Sequence, residues 1–317
     1  MENNNFISVI ICTYNRGESL RETLDSFFQQ EGLSDISYEL IMVDNNSSDH
    51  TRELIESYIL KYGDVLKYFI EKRQGLSYAR NRGIQESKGD VIAFTDDDVL
   101  IDKAWLYNLV DMFQKYDADL VGGRVLPIYP PNTPKWVKDN LDVLSGPIVA
   151  YEYGEEIRRY EGDWSIEPIG ANMIFRKELF NKYGLFRTDL GVGTGTNNED
   201  TEFCSRCLNN SNIKAFYCGK ALIWHPVLED RMSLKYIARW AIASGRAEGL
   251  YNKLASSTIY YFGIPRYLLR SFILSIVFLI FTSFSCRKFL ENWVEVFVRY
   301  GKIQQYNKKF YGKNQHS

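Results

Sequence analysis

The chain has 317 residues, 45% of them hydrophobic, which is enough to bury a substantial core as one large domain or two smaller ones. A formal charge of -2 excludes a general attraction to nucleic acid. The five cysteines (Cys12, Cys204, Cys207, Cys218 and Cys286) are odd in number and scattered, so free thiols in a reducing compartment are expected rather than a disulfide framework.

Met1 to Asn5 does not lead from a basic region into an apolar core, and no secretory signal is expected. Ser8 to Thr13 is a continuous apolar run of the kind found in strands buried on both faces. Leu20, Leu24, Phe27 and Phe28 then recur at helical spacing over residues 19–30. Glu39 to Asp44 reads as a second strand, and Ser48 or Asp49 as the cap of a helix over 51–61. A third strand over 65–70, a helix over 77–87 and a fourth strand over 90–95 complete a β-α-β-α alternation. That order predicts an α/β domain, a mostly parallel twisted sheet flanked by helices.

Ligands of such sheets collect at the carboxyl ends of the strands. Polar clusters stand at three of those ends: Thr13-Tyr14-Asn15-Arg16, Asp44-Asn45-Asn46 and Asp96-Asp97-Asp98. Three adjacent carboxylates repel one another unless water or a cation compensates them, and a hard divalent ion prefers such oxygen ligands. Beyond them a helix over 103–116, a strand over 120–125, a Pro-rich loop, a strand over 169–175 and a Gly-rich loop over 191–198 are expected. Glu199 and Asp200 open the next helix, which carries Cys204-x-x-Cys207 with no second cysteine pair.

Five segments now stand together: Ser8–Arg16, Val43–Asp49, Gly75–Gly83, Phe94–Asp98 and Asn198–Asp200. In composition and order they resemble family 2 glycosyltransferases, over about residues 6–250. The resemblance implies the GT-A fold and an inverting transfer from a nucleotide-diphosphate sugar, UDP-sugar favoured, to an acceptor hydroxyl. The acceptor implied is a cell-surface polysaccharide or a lipid-linked glycan. It also implies a Mn2+ or Mg2+ cofactor held by Asp98 and Asp96, with Asp97 able to share it. His225 is a third ligand or a packing residue. Thr13, Tyr14 and Asn15 resemble residues flanking the nucleoside, and Asp44 the aspartate that recognises the base, although an Asx-turn or helix cap would use Asp44 equally well. Arg80 resembles the arginine near the diphosphate, with Arg73 a second candidate, since a planar guanidinium suits phosphate oxygens. Asn172 resembles a donor-sugar contact. Asp200 is the expected general base and Glu199 its neighbour on the acceptor side; both also suit a helix N-terminus. Asn197 and Asn198 depart from the small residues that often precede the acidic pair.

From these readings a catalytic domain over 1–230 and a helical region over 231–317 are expected. The latter holds an apolar segment at about 259–286 and a tail of about +5 from Arg287 onward. Ser271 to Cys286 carries no charge, which points to attachment at the cytoplasmic face of the membrane; a full span or a buried homodimer helix are the other readings. A non-catalytic membrane-bound relative of such enzymes is the alternative function, and it predicts damage at Asp96, Asp98 or Asp200. All three are present.

Overall fold

The computed structural model describes residues 6–160, 168–209, 212–252 and 254–313; Met1–Asn5 and the last residues of the basic tail lie outside them. The chain divides into two compact units: residues 1–128, 149–188 and 199–226 in the first, and 129–148, 189–198 and 227–317 in the second.

The first unit is built on strands β1 (Ile7–Thr13), β2 (Tyr38–Asp44), β3 (Leu66–Ile70), β4 (Val91–Thr95), β5 (Leu100–Ile101), β6 (Leu120–Ile128), β7 (Ile157–Arg159), β8 (Asn172–Arg176) and β9 (Ala215–Pro226). Among the described residues they form one sheet in the order β3-β2-β1-β4-β8-β6-β9-β5, with β7 on β9. Strands β3, β2, β1 and β4 run parallel, and β8 enters antiparallel between β4 and β6.

Alternation explains the continuous apolar runs. Ile7, Val9 and Ile11 of β1 pack beneath α1 (Gly17–Phe27), α2 (Thr51–Tyr62) and α4 (Trp105–Lys115). Ile10, one residue out of phase, packs on the opposite face with α3 (Leu76–Glu86), α7 (Glu178–Tyr183) and α8 (Glu199–Leu208). Cys204 and Cys207 are buried in that second core, and burial pushes Cys207 up to about 12. Their spacing is a packing spacing.

The second unit collects α5 (Lys135–Lys138) and α6 (Leu141–Ile148), which follow the Pro-rich stretch, with α9 (Leu234–Tyr251), α10 (Arg266–Phe281) and α11 (Cys286–Lys313). Residues 129–148 and 189–198 thus group with the C-terminal helices, and the first unit ends at residue 226. Val137, Leu144, Ile148, Ile237 and Leu290 share its core. Helices α9 and α11 approach backbone to backbone: a Cβ on Gly245 would stand 1.9 Å from the Val298 carbonyl oxygen, and one on Gly301 2.2 Å from that of Ile242. The Asn197 amide, donating to the Trp240 carbonyl, and the Asn198–Ser244 side-chain pair fasten the 189–198 loop to α9, which gives both asparagines a local structural use.

Candidate active site

The parallel register brings three strand ends to one edge. Thr13 pairs with Asp44 across β1 and β2, and Ile11 with Thr95 across β1 and β4. The loops beyond are laced by their asparagines. Asn15, in a left-handed conformation (φ 51°) that asparagine tolerates, donates its backbone N–H to Ser47 Oγ at 2.9 Å and accepts from the Ser48 N–H at 2.8 Å. The Asn45 amide donates to the carbonyls of Glu71 (2.9 Å) and Arg73 (2.7 Å), while its oxygen accepts from the Gly75 N–H (2.8 Å). Thr13 is buried there and Tyr14 is exposed.

Asp44 is buried; it accepts from the Ser47 N–H and the Tyr68 hydroxyl, both at 2.8 Å. The carboxylate thus ties down its own loop, with a bond that reaches three residues on rather than the two of an Asx-turn, and it has lone pairs left over for a further donor. Arg73 is held by Glu71 through two bonds of 2.9 Å and lies over the Tyr78 ring; its side chain is mostly exposed. That hydrogen bonding outweighs burial and lowers the Glu71 carboxyl to about 2.

Past β4 the chain turns through the three aspartates into β5, which pairs antiparallel with the end of β9, Leu100 opposite Trp224. This register carries His225 back to the aspartates. Its Nε2 lies 3.4 Å from Asp98 Oδ1 and 3.9 Å from Asp96 Oδ2, and one ligand atom from each of the three residues falls within 4.8 Å of the others. His225 is buried, and its Nδ1 lies 3.0 Å from the Pro226 carbonyl oxygen, which can only accept. Nδ1 therefore carries a proton. In the neutral imidazole Nε2 then presents its lone pair toward the two carboxylates, the side on which a cation would be shared by all three residues. A carbonyl fixing one imidazole nitrogen while the other faces oxygen ligands is the usual arrangement around a bound metal. The donor set fits a hard divalent ion with coordination positions left for phosphate oxygens. Asp97 is buried, and that burial, with the Asp98 charge, pushes its carboxyl up to about 7. On the outer side of the cluster, the Arg16 guanidinium approaches the second Asp98 oxygen at 3.6 Å.

Arg80 connects this cluster to the acidic pair at the start of α8. The arginine is only 3% exposed, and its Nη1 donates to Glu199 Oε1 at 2.5 Å while Nη2 lies 3.9 Å from Asp96 Oδ1. Phe94 and Phe186 rings sit 5.9 and 5.7 Å from the guanidinium carbon. Burial works against the charge on Arg80, but Glu199, Asp96 and Asp200 outweigh it and hold the guanidinium above its ordinary value.

Two of the expected site residues have their polar groups taken up inside the protein. Glu199 is buried and paired with Arg80. Asn172 is fully buried; it accepts from the Trp105 indole N–H (3.0 Å) and donates to the carbonyls of Arg124 (3.0 Å) and Ala221 (2.8 Å). That amide rivets β8 to β6 and β9.

Gly170 is a residue that sequence reading passed over. Its N–H donates to Asp200 Oδ2 at 2.6 Å, and a Cβ there would lie 2.4 Å from Arg80 Nη2 and 3.1 Å from Asp200 Oδ2. Because Arg80 is enclosed, it has no room to yield. Gly170→Ala is expected to cost about 1–3 kcal/mol of stability through overpacking and to lower kcat on the order of a hundredfold through misplacement of Asp200. Thermal unfolding and steady-state kinetics on one preparation check both; an unchanged kcat would mean that Asp200 needs no such seat.

Comparison with known proteins gives three kinds of match. The model of the family described as "Glycosyl transferase family 2" matches residues 8–184. A glucosyl-dolichyl phosphate glucuronosyltransferase of Haloferax volcanii is 27% identical over 240 residues, covering 73% of this chain and 72% of that protein. The succinoglycan biosynthesis protein ExoM of Rhizobium meliloti is 28% identical over 243 residues, covering 77% and 74%. Among solved structures, a mannosyltransferase from Pyrobaculum calidifontis in complex with GDP-Man and Mn2+ superposes with a TM-score of 0.56 at 16% identity, over 98% of this chain and 75% of that one. At that identity the likeness speaks for the fold, the GT-A arrangement of a central mixed sheet between helices.

Proposed function

The chain belongs to glycosyl transferase family 2, and from that premise we propose that it is an inverting transferase passing a sugar from a nucleotide-diphosphate sugar, UDP-sugar favoured, to an acceptor hydroxyl. The observation that carries the reading is Arg80. One buried guanidinium contacts both Asp96 of the cation cluster and Glu199 beside Asp200, so the two acidic groups belong to one rim.

In this reading Asp96, Asp98 and His225 hold Mn2+ or Mg2+, which when bound neutralises charge on the leaving diphosphate. Asp44, Thr13, Tyr14 and Asn15 receive the nucleoside at the adjoining strand ends. The exposed Arg73 is the better placed of the two arginines to reach a phosphate, while Arg80 positions the acids. Asp200 removes the acceptor hydroxyl proton as that oxygen bonds to the anomeric carbon; the bond from that carbon to the diphosphate oxygen breaks, and the nucleoside diphosphate departs with the electron pair. Both Asp200 oxygens already accept a backbone N–H, from Gly170 and from Thr201, which fixes the carboxylate while leaving lone pairs for the proton.

The acceptor proposed is a glycan of a cell-surface polysaccharide or one carried on a lipid. The relatives named for glucosyl-dolichyl phosphate and for succinoglycan support that class. The site of action proposed is the cytoplasmic side, free or at the membrane face. A panel of nucleotide sugars tested with Mn2+ for hydrolysis and for protection against thermal unfolding checks the donor. One donor is expected to raise the Tm only with the ion present; a folded protein indifferent to every donor and to both ions would sink the proposal.

A further inference from the structure

We propose that the outward face of α10 and the turn after it dock on an anionic lipid surface, with α10 lying in the plane of the interface. Leu268 and Ser275 are the buried residues of this helix, and with Phe272 and Leu279 they form a stripe at spacings of four, three and four. Phe272 stacks on Tyr300 of α11 at 6.2 Å, which identifies the stripe as the inner side. The rest of the circumference carries Ile273, Leu274, Val277, Phe278, Ile280 and Phe281, all exposed. Exposure rises toward the tip: 56% at Phe278, 70% at Phe281 and 85% at Phe284 in the turn. Contiguous apolar patches of this kind mark a surface that something covers.

Charge selects the cover. From Gly249 to Leu290 there is no Asp or Glu, while Lys253, Arg266, Arg270 and Lys288 bracket the apolar run at both ends; Arg287 is already paired with Asp142 and Glu291. Arg266 and Arg270 are exposed on the first turns of α10, and Lys288 is exposed beyond the tip. A two-fold contact with a second copy would set these like charges against one another, because each patch then meets itself or its counterpart. Anionic headgroups complement them. Exposed Tyr260, Tyr261 and Tyr267 near the start of the helix suit the headgroup level, where amphipathic rings settle. A crossing is too long for this segment. The helix has 16 residues, about 24 Å at about 1.5 Å each, against about 30 Å of hydrocarbon. No helix among the described residues is long and apolar enough to cross a membrane. Lying flat buries the exposed arc along its length and keeps both basic ends among headgroups.

The full chain is floated with vesicles of phosphatidylcholine alone and of phosphatidylcholine with phosphatidylglycerol. Flotation with the mixed vesicles only is expected. The pair Phe278→Ser with Phe281→Ser, and separately the pair Arg266→Glu with Arg270→Glu, should each lower the bound fraction about tenfold. Leu60→Ser, at a still more exposed apolar site on α2, should leave it unchanged. Melting temperature and nucleotide-sugar hydrolysis, read on the same preparations, report the fold and keep this test separate from the transfer reaction. Three outcomes would overturn the proposal: wild type that ignores both vesicles, variants that float like wild type, or a wild-type dimer in sedimentation that the phenylalanine pair dissociates.

Discussion

Asp98→Ala is expected to abolish the response of the protein to Mn2+ and to lower transfer by about 10^3-fold or more. Asp98 is the aspartate nearest to His225, 3.4 Å from Nε2, and its other oxygen is the one that faces Arg16. Its removal leaves Asp96 and the imidazole, two ligands where three converge. A bound divalent ion is worth several kcal/mol of transition-state charge stabilisation, and about 4 kcal/mol corresponds to about 10^3 in rate. The same change should leave the metal-free fold intact, because it removes one of three mutually repelling carboxylates and relieves a charge that pushes Asp97 up. The two effects are separable by calorimetry. Wild type should gain about 2.7 kcal/mol of stability at an ion concentration a hundred times Kd, and the variant almost none. A variant whose melting temperature still climbs with Mn2+ would place the ion elsewhere.

The parallel half of the sheet was open to sequence reading because strands buried on both faces are apolar throughout. Ser8 to Thr13 and Glu39 to Asp44 match β1 and β2 within a residue. The aspartate run after β4 was equally plain, since adjacent like charges need a reason. Less was visible where chemistry depends on distant pairing. His225 rides on β9, a twelve-residue strand that the sequence pass did not find. Gly219 and Lys220 interrupt its pattern, and a register shift at Gly123/Arg124 breaks the pairing with β6. The prolines around residue 130 suggest only a loop, yet Pro134 immediately precedes α5, where the first-turn N–H groups have no helical partner to lose. The burial of Glu199 and Asn172 is not legible for one reason. Their motifs give the residue type and order, but burial comes from partners 119 residues away for Glu199 and 67 for Asn172.

Asp200→Asn should lower kcat by about 10^2–10^4-fold, the usual contribution of a positioned general base, with donor affinity nearly unchanged. Asparagine keeps the size of the side chain and one oxygen for the Gly170 N–H, so the seat described by the 2.6 Å bond survives. Its amide nitrogen must then face the Thr201 N–H, which costs about 1–3 kcal/mol for a donor left without its acceptor. Arg80 keeps Glu199 at 2.5 Å and Asp96 at 3.9 Å, so the cation cluster is spared. Loss of the base and loss of the scaffold therefore read out differently. The base acts only when the acceptor proton moves, so single-turnover transfer should collapse while calorimetric binding of the donor with Mn2+ stays within about threefold of wild type. Gly170→Ala, which displaces the carboxylate without neutralising it, should depress both stability and kcat. An Asp200→Asn enzyme that turns over at the wild-type rate would remove this residue from proton transfer, and the Arg80 network would then serve the fold alone.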